Sequence, residues 1–151
     1  MLEPIDRDAP EVRALFADFI READGPLEVD LAAAIGSGPP PDLVPPDGIL
    51  LIARVDGAAA GLGGLRHLDT DVAEVKTMYV DPGFRGLGLG RRILAELERI
   101  AATRGCDRTR LDTSDYLAAA IALYRAAGYR EVADYNANPK ANLWFERELR
   151  S

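Results

Sequence analysis

Apolar residues recur along this chain with two periods, and the switches between them divide it into elements. Val12, Leu15, Phe16, Phe19 and Ile20 repeat at three- and four-residue spacing, which predicts an amphipathic helix to about Ala23. Asp8-Ala-Pro-Glu11 ahead of it has the makings of an N-cap, a first-turn proline and a capping-box acid. A short first strand is predicted over residues 1–6, and a second short helix over Leu27–Ile35. Ile49–Val55 and Gly57–Leu68 are β-rich runs that meet at Asp56-Gly57, a hairpin signal. Gly61, Gly63 and Gly64 are unusual in a strand and predict a bulge or the close approach of another backbone. Asp71–Val80 predicts the next strand, ended by Asp81-Pro82-Gly83. Leu89, Ile93, Leu97, Ile100 and Ala101 return to helical spacing, with Gly105 where a helix-ending glycine belongs. Arg108–Thr113 predicts a strand parallel to the one before that helix, joined to it by a right-handed crossover. A helix over Leu117–Ala127 closed by Gly128, then strands over Tyr129–Ala133 and Leu143–Leu149, complete the pattern. The last strand, taken as an edge, is a possible homodimer surface. Gly36–Gly48 holds half the prolines and predicts a semi-rigid surface loop, and Tyr135–Asn142 a polar one.

The fold class that follows is mixed α/β: one domain over residues 1–151, with a central, mostly antiparallel sheet of about seven strands and about four helices. Composition narrows the function classes. A formal net charge of −7 argues against non-specific nucleic-acid binding, which needs a basic surface. A single cysteine excludes an intrachain disulfide, and with one histidine a Cys/His zinc site is disfavoured, so no metal is expected. Glu3, Asp6, Arg7 and Asp8 interrupt any N-terminal signal sequence, and no apolar run is long enough to cross a bilayer. A cytoplasmic location without membrane attachment is the resulting expectation.

The chemistry concentrates between the strand ending at Val80 and the helix beginning at Leu89. Arg85-Gly86-Leu87-Gly88-Leu89-Gly90-Arg91 is a glycine-rich turn opening a helix, where backbone N–H groups unscreened by Cβ atoms can surround phosphate oxygens at the positive helix end. Arg85 and Arg91 flank that turn with guanidinium donors. The Gly-Lys-Ser/Thr of a nucleoside-triphosphate loop is missing, and the glycine spacing is not that of a dinucleotide fingerprint. The order Arg85-x-x-Gly88-x-Gly90 after Met78-Tyr79-Val80-Asp81-Pro82 resembles motif A of the GNAT superfamily of acetyl-CoA-dependent N-acetyltransferases. Ala118–Tyr129, AAAIALYRAAGY, resembles that superfamily's later tyrosine-bearing helix and turn, and the likeness spans roughly residues 72 to 133.

That resemblance implies an N-acetyltransferase moving acetyl from acetyl-CoA to a primary amine of a small molecule or peptide, by direct attack in a ternary complex. The alternative is a non-catalytic acyl-CoA-binding regulatory module. By the same likeness Gly86, Leu87, Gly88, Leu89, Gly90 and Arg91 hold the pyrophosphate with Arg85 beside them, and the backbone of Met78, Tyr79 and Val80 pairs with the acyl and pantetheine end. Tyr124 is the implied proton donor to the departing sulfur. Two carboxylates compete as general base, Glu74 first and Asp112 second, and either can instead be structural, paired with Arg54 or Arg110. Period-two alternation puts Glu74 on one strand face with Lys76, Met78 and Val80. Leu117 stands where many members carry a cofactor-contacting asparagine. Phe16, Phe19 and Tyr135 are expected to wall an acceptor pocket, with Glu22 or Asp24 as a negative rim favouring a cationic acceptor. His67 and Cys106 are expected to be structural.

Overall fold

The computed structural model describes residues 1–24, 36 and 38–149. The helix expected over Leu27–Ile35 and the side chain of Asp24 lie outside the described residues. Ten elements follow in order: β1 (Leu2–Pro4), α1 (Pro10–Asp24), β2 (Gly48–Val55), β3 (Ala58–His67), β4 (Val72–Val80), α2 (Leu89–Thr103), β5 (Arg108–Thr113), α3 (Ala118–Ala126), β6 (Arg130–Val132) and β7 (Leu143–Glu148). The strands form one sheet in the order β1-β2-β3-β4-β5-β7-β6, antiparallel throughout except between β4 and β5. All seven expected strands are present. β7 lies between β5 and β6, so it is not the edge strand expected there for a dimer contact; β1 and β6 are the edges.

Local chemistry explains most boundaries. β2 turns into β3 through Asp56 and Gly57, both at positive φ (50° and 82°), as a tight right-twisting hairpin requires. Beyond α2, Cys106 N–H reaches Ala101 O and Gly105 N–H reaches Ala102 O, the paired bonds of a helix closed by a left-handed glycine. The entry to α1 differs from expectation. Asp8 gives its carboxylate to the Arg13 and Arg7 guanidiniums and Glu11 gives its own to Arg54, so no capping box forms. Charge-assisted pairing with arginine has displaced the cap.

The sheet separates two apolar layers. Leu50, Ile52, Leu62 and Tyr79 meet Val12, Leu15, Phe16 and Ile20 of α1 on one face. On the other, Leu51, Ala73, Val75, Leu111 and Phe145 meet Ile93, Leu94 and Leu97 of α2, with Tyr124 of α3. A Cβ on Gly63 would sit 2.3 Å from Ile93 Cγ2, so that glycine lets α2 lie close on β3.

The feature that shapes the site is a bulge in β4. Lys76 pairs with Gly64 but Tyr79 with Leu62, leaving an extra residue on β4, and Thr77 takes a left-handed φ of 56°. The side-chain parity therefore slips by one. Ala73 and Val75 face the α2 layer before the bulge; Met78 and Val80 pack against that same layer after it, while Tyr79 joins the α1 layer. Glu74 and Lys76 thus do not share a face with Met78 and Val80. The parallel β4–β5 ladder also stops early, at Glu74 opposite Arg110. Beyond that point the two strands are unpaired with each other, and the site opens between them.

Candidate active site

Asp81 starts the glycine-rich turn: its Oδ1 accepts the Gly83 N–H at 2.9 Å, and Pro82–Phe84 form one 3₁₀ turn. Arg85 folds back, donating from Nε to Val80 O at 2.9 Å and from a terminal nitrogen to Glu22 Oε2 at 2.6 Å, with its guanidinium 5.7 Å from the centre of the Tyr79 ring. Gly86 and Gly88 both have positive φ (85° and 77°), and Gly88 caps α2 with no side chain to occupy the first-turn donors. Among the described residues, the backbone N–H groups from Gly86 to Arg91 have no protein acceptor. Open donors at the positive end of a fifteen-residue helix form an anion cradle. A Cβ on Gly86 or Gly88 would meet nothing within 4 Å, so the space over the cradle is open.

The cradle is one end of a cleft of about 760 Å³. Met78, Tyr79 and Val80 line it from β4, and Arg85, Gly86 and Gly88 from the turn. Leu89, Gly90 and Arg91 add the start of α2, and Tyr116 to Ala120 face them from the entry to α3. Leu87 alone of the expected cofactor residues does not line it; its side chain is 60% exposed.

A second cavity, about 490 Å³, adjoins the first and shares Phe19, Met78, Leu117, Ala120 and Tyr124 with it. Tyr124 therefore stands where the two meet. Its ring is wedged between Tyr129 and Phe145, at centroid distances of 6.0 and 6.3 Å, and its carbonyl accepts the Tyr129 N–H across the Gly128 turn. Its hydroxyl has no hydrogen-bond partner among the described residues. Burial, then the charge of Asp112, pushes the phenol pKa well above its usual value, so the group keeps its proton.

The two candidate carboxylates have different surroundings. Glu74 is fully buried and lines neither cavity. Its Oε1 takes Arg66 Nε at 2.9 Å and a terminal Arg66 nitrogen at 2.8 Å, with Lys76 Nζ at 3.7 Å. Its Oε2 takes the Tyr135 hydroxyl at 2.6 Å and Asn136 Nδ2 at 3.1 Å. Neither Arg54 nor Arg110 is its partner; those pair with Glu3 and Glu11, and with Glu146. Asp112 lines the second cavity. Its Oδ2 receives Asn136 Nδ2 at 2.6 Å, Asn138 Nδ2 at 3.2 Å and Lys76 Nζ at 3.3 Å, while Oδ1 has no partner among the described residues. Tyr135, expected in the acceptor wall, is instead held at Glu74, where burial and that carboxylate raise its pKa. Glu22 lies on the first cleft and is engaged by Arg85, so it is no rim to the second.

A model of the acetyltransferase (GNAT) family matches residues 10–129. The chain belongs to the GNAT acetyltransferase family. An IAA acetyltransferase of Azospirillum brasilense is 37% identical over 112 residues, covering 71% of this chain and 72% of that protein. A solved structure from Klebsiella pneumoniae, described as an acyl-CoA N-acyltransferase, is 32% identical with a TM-score of 0.77, covering 99% of this chain and 97% of that one. A PaiA N-acetyltransferase from Thermoplasma acidophilum, solved with coenzyme A, shares the fold at 16% identity and a TM-score of 0.78, covering 98% of each chain.

Within this GNAT acetyltransferase, sequence reasoning missed the clamp that holds Asp112. Asn136 sits between the two carboxylates, donating to both, while its Oδ1 accepts Trp144 Nε1 at 2.9 Å. The polar loop Tyr135–Asn142 carried the signal, in asparagines spaced two apart, but nothing in sequence ties a loop to a strand some twenty-five residues before it. Gly38–Pro41 of the proline-rich loop line the second cavity. Cys106 is buried, its thiol pKa is raised by that burial, and its Sγ is 3.8 Å from His67 Nδ1, away from both cavities. No helix among the described residues is long and apolar enough to cross a membrane.

Proposed function

We propose that this GNAT protein transfers the acetyl group of acetyl-CoA to a primary amine by direct attack while both substrates are bound. The observation that carries the reading is the cradle of unpaired N–H groups from Gly86 to Arg91, leading along one cleft to the free Tyr124 hydroxyl and a second cavity beyond it. The residues suit coenzyme A: Gly86 to Arg91 for the pyrophosphate, with Arg85 exchanging Glu22 for it, and Met78 to Val80 for the pantetheine and acyl end. Acetyl-CoA supplies the acyl group as an activated thioester. Backbone N–H groups near Met78 to Val80, freed where β4 leaves β5, stabilise the acyl oxygen as it gathers charge. The amine nitrogen bonds to the acyl carbon as the carbon–sulfur bond breaks, and Tyr124 gives the sulfur its proton. Asp112, which lines the second cavity with Oδ1 unpartnered among the described residues, takes the amine proton directly or through water. Solvent then restores both groups. Glu74 serves by holding Arg66, Lys76, Tyr135 and Asn136 in place.

Thiol release from acetyl-CoA across a panel of amines, against an acceptor-free blank, tests the reaction. Coenzyme A should also raise Tm, because a ligand bound only by the native state stabilises it. Gly88→Val should abolish that rise, since a β-branched residue resists φ of 77° and its side chain fills the space over the cradle. NADH shifting Tm more than coenzyme A does would overturn the cofactor assignment.

A further inference from the structure

We infer that the acceptor is a primary monoamine with an apolar, ring-sized body, rather than a polyamine or a polar amino sugar. The inference rests on the acetyl-transfer reading and on the chemistry of the second cavity. Asp112 lines that cavity, and its Oδ1 has no partner among the described residues, whereas Oδ2 already takes three donors. Lys76 and the two asparagines thus fix the carboxyl plane and leave one acceptor position for an ammonium group. Placed there, the nitrogen lies in the cavity that Tyr124 shares with the cofactor cleft.

The opposite wall offers no charge. Phe16, Phe19 and Ile20 come from α1, and Pro39, Pro40 and Pro41 from the proline-rich loop. Proline has no N–H to offer, and the carbonyl of Pro39 is already taken by Arg7. The Phe16 and Phe19 rings lie 5.9 Å apart at 40°, a tilted pair with apolar surface turned to the cavity. A polyamine needs a second anionic partner along its length. Among the described residues Asp112 is the only carboxylate lining this cavity. A second ammonium would be desolvated against prolines and phenylalanines, whereas an aryl or alkyl body buries its surface there. The volume, about 490 Å³, is within the range of small-molecule pockets.

The test is the initial rate of thiol release from acetyl-CoA with phenethylamine, hexylamine, putrescine, spermidine and an aminoglycoside. The expected kcat/KM for phenethylamine exceeds that for putrescine by about tenfold or more, the worth of burying a few extra carbons. Asp112→Asn should raise the phenethylamine KM by a similar factor without altering the Tm rise that coenzyme A produces. A variant with a lowered Tm is still read by this coenzyme A rise and by its ranking of the five amines. Putrescine, spermidine or the aminoglycoside ranking first would overturn the inference and leave acetyl transfer standing. So would an unchanged phenethylamine KM in Asp112→Asn. Thiol release no faster than the blank with every amine, despite a coenzyme A shift in Tm, would overturn the transfer reading and this inference together.

Discussion

Tyr124→Phe is expected to lower kcat by tens-fold or more, at most by the roughly 10²–10⁴ of general acid catalysis, and to leave Tm nearly unchanged. The substitution keeps the ring between Tyr129 and Phe145 and removes only a hydroxyl that bonds to nothing among the described residues. No buried partner is orphaned, so the usual stability cost of deleting a hydrogen-bonding group does not arise. Coenzyme A should raise Tm as much as in the parent protein, because the cradle lies in another element. With the phenol pKa raised by burial and by Asp112, the donor stays protonated across the working pH range, so an alkaline limb in the pH–rate profile should not come from Tyr124. Full activity in a folded Tyr124→Phe protein would remove the donor role.

Glu74→Ala should act in the opposite sense, on stability first. Removing a carboxylate with no exposure leaves the Tyr135 hydroxyl without its acceptor and Arg66 with only Asp42, at 3.5 Å, while Lys76 and Asn136 keep Asp112. Breaking a buried pair from one side costs about 3–5 kcal/mol, measurable by urea unfolding. Glu74→Gln should cost less, since the amide oxygen still accepts. Its turnover per folded molecule should stay close to that of the parent protein, and Asp112→Asn should lower kcat. The reverse outcome would return the base role to Glu74.

The strands and the crossover were legible because each depends on neighbours in sequence. Continuous apolar runs mark β2 and β3, Asp56-Gly57 the hairpin, and Gly105 and Gly128 the helix ends; Gly61 falls where the β2–β3 register shifts, and Gly63 where α2 lies close. The cofactor turn was equally local, and all its expected residues but Leu87 line the cleft. Which face Glu74 occupies was not local. The bulge is absorbed at Thr77, a β-branched residue that gives no hint of a left-handed φ, and every side chain beyond it changes sides. The placing of β7 inside the sheet depends on its pairing with β5, thirty residues away, and no turn signal encodes that. Asp8 and Glu11 misled because arginines compete with backbone N–H groups for the same oxygens, nearby Arg7 and Arg13 at Asp8 and distant Arg54 at Glu11.

The two cavities are built from different materials. Main-chain donors at the head of α2 make the first, with glycines where side chains must be absent. The second takes side chains from α1, the proline-rich loop and the loop after β6, and also from β4, β5 and α3. Of these only β4 belongs to the strand–turn–helix unit that carries the cradle. On the proposed reading, substitutions at Phe16, Pro40 or Asn138 would reshape the acceptor cavity and leave the backbone cradle from Gly86 to Arg91 untouched.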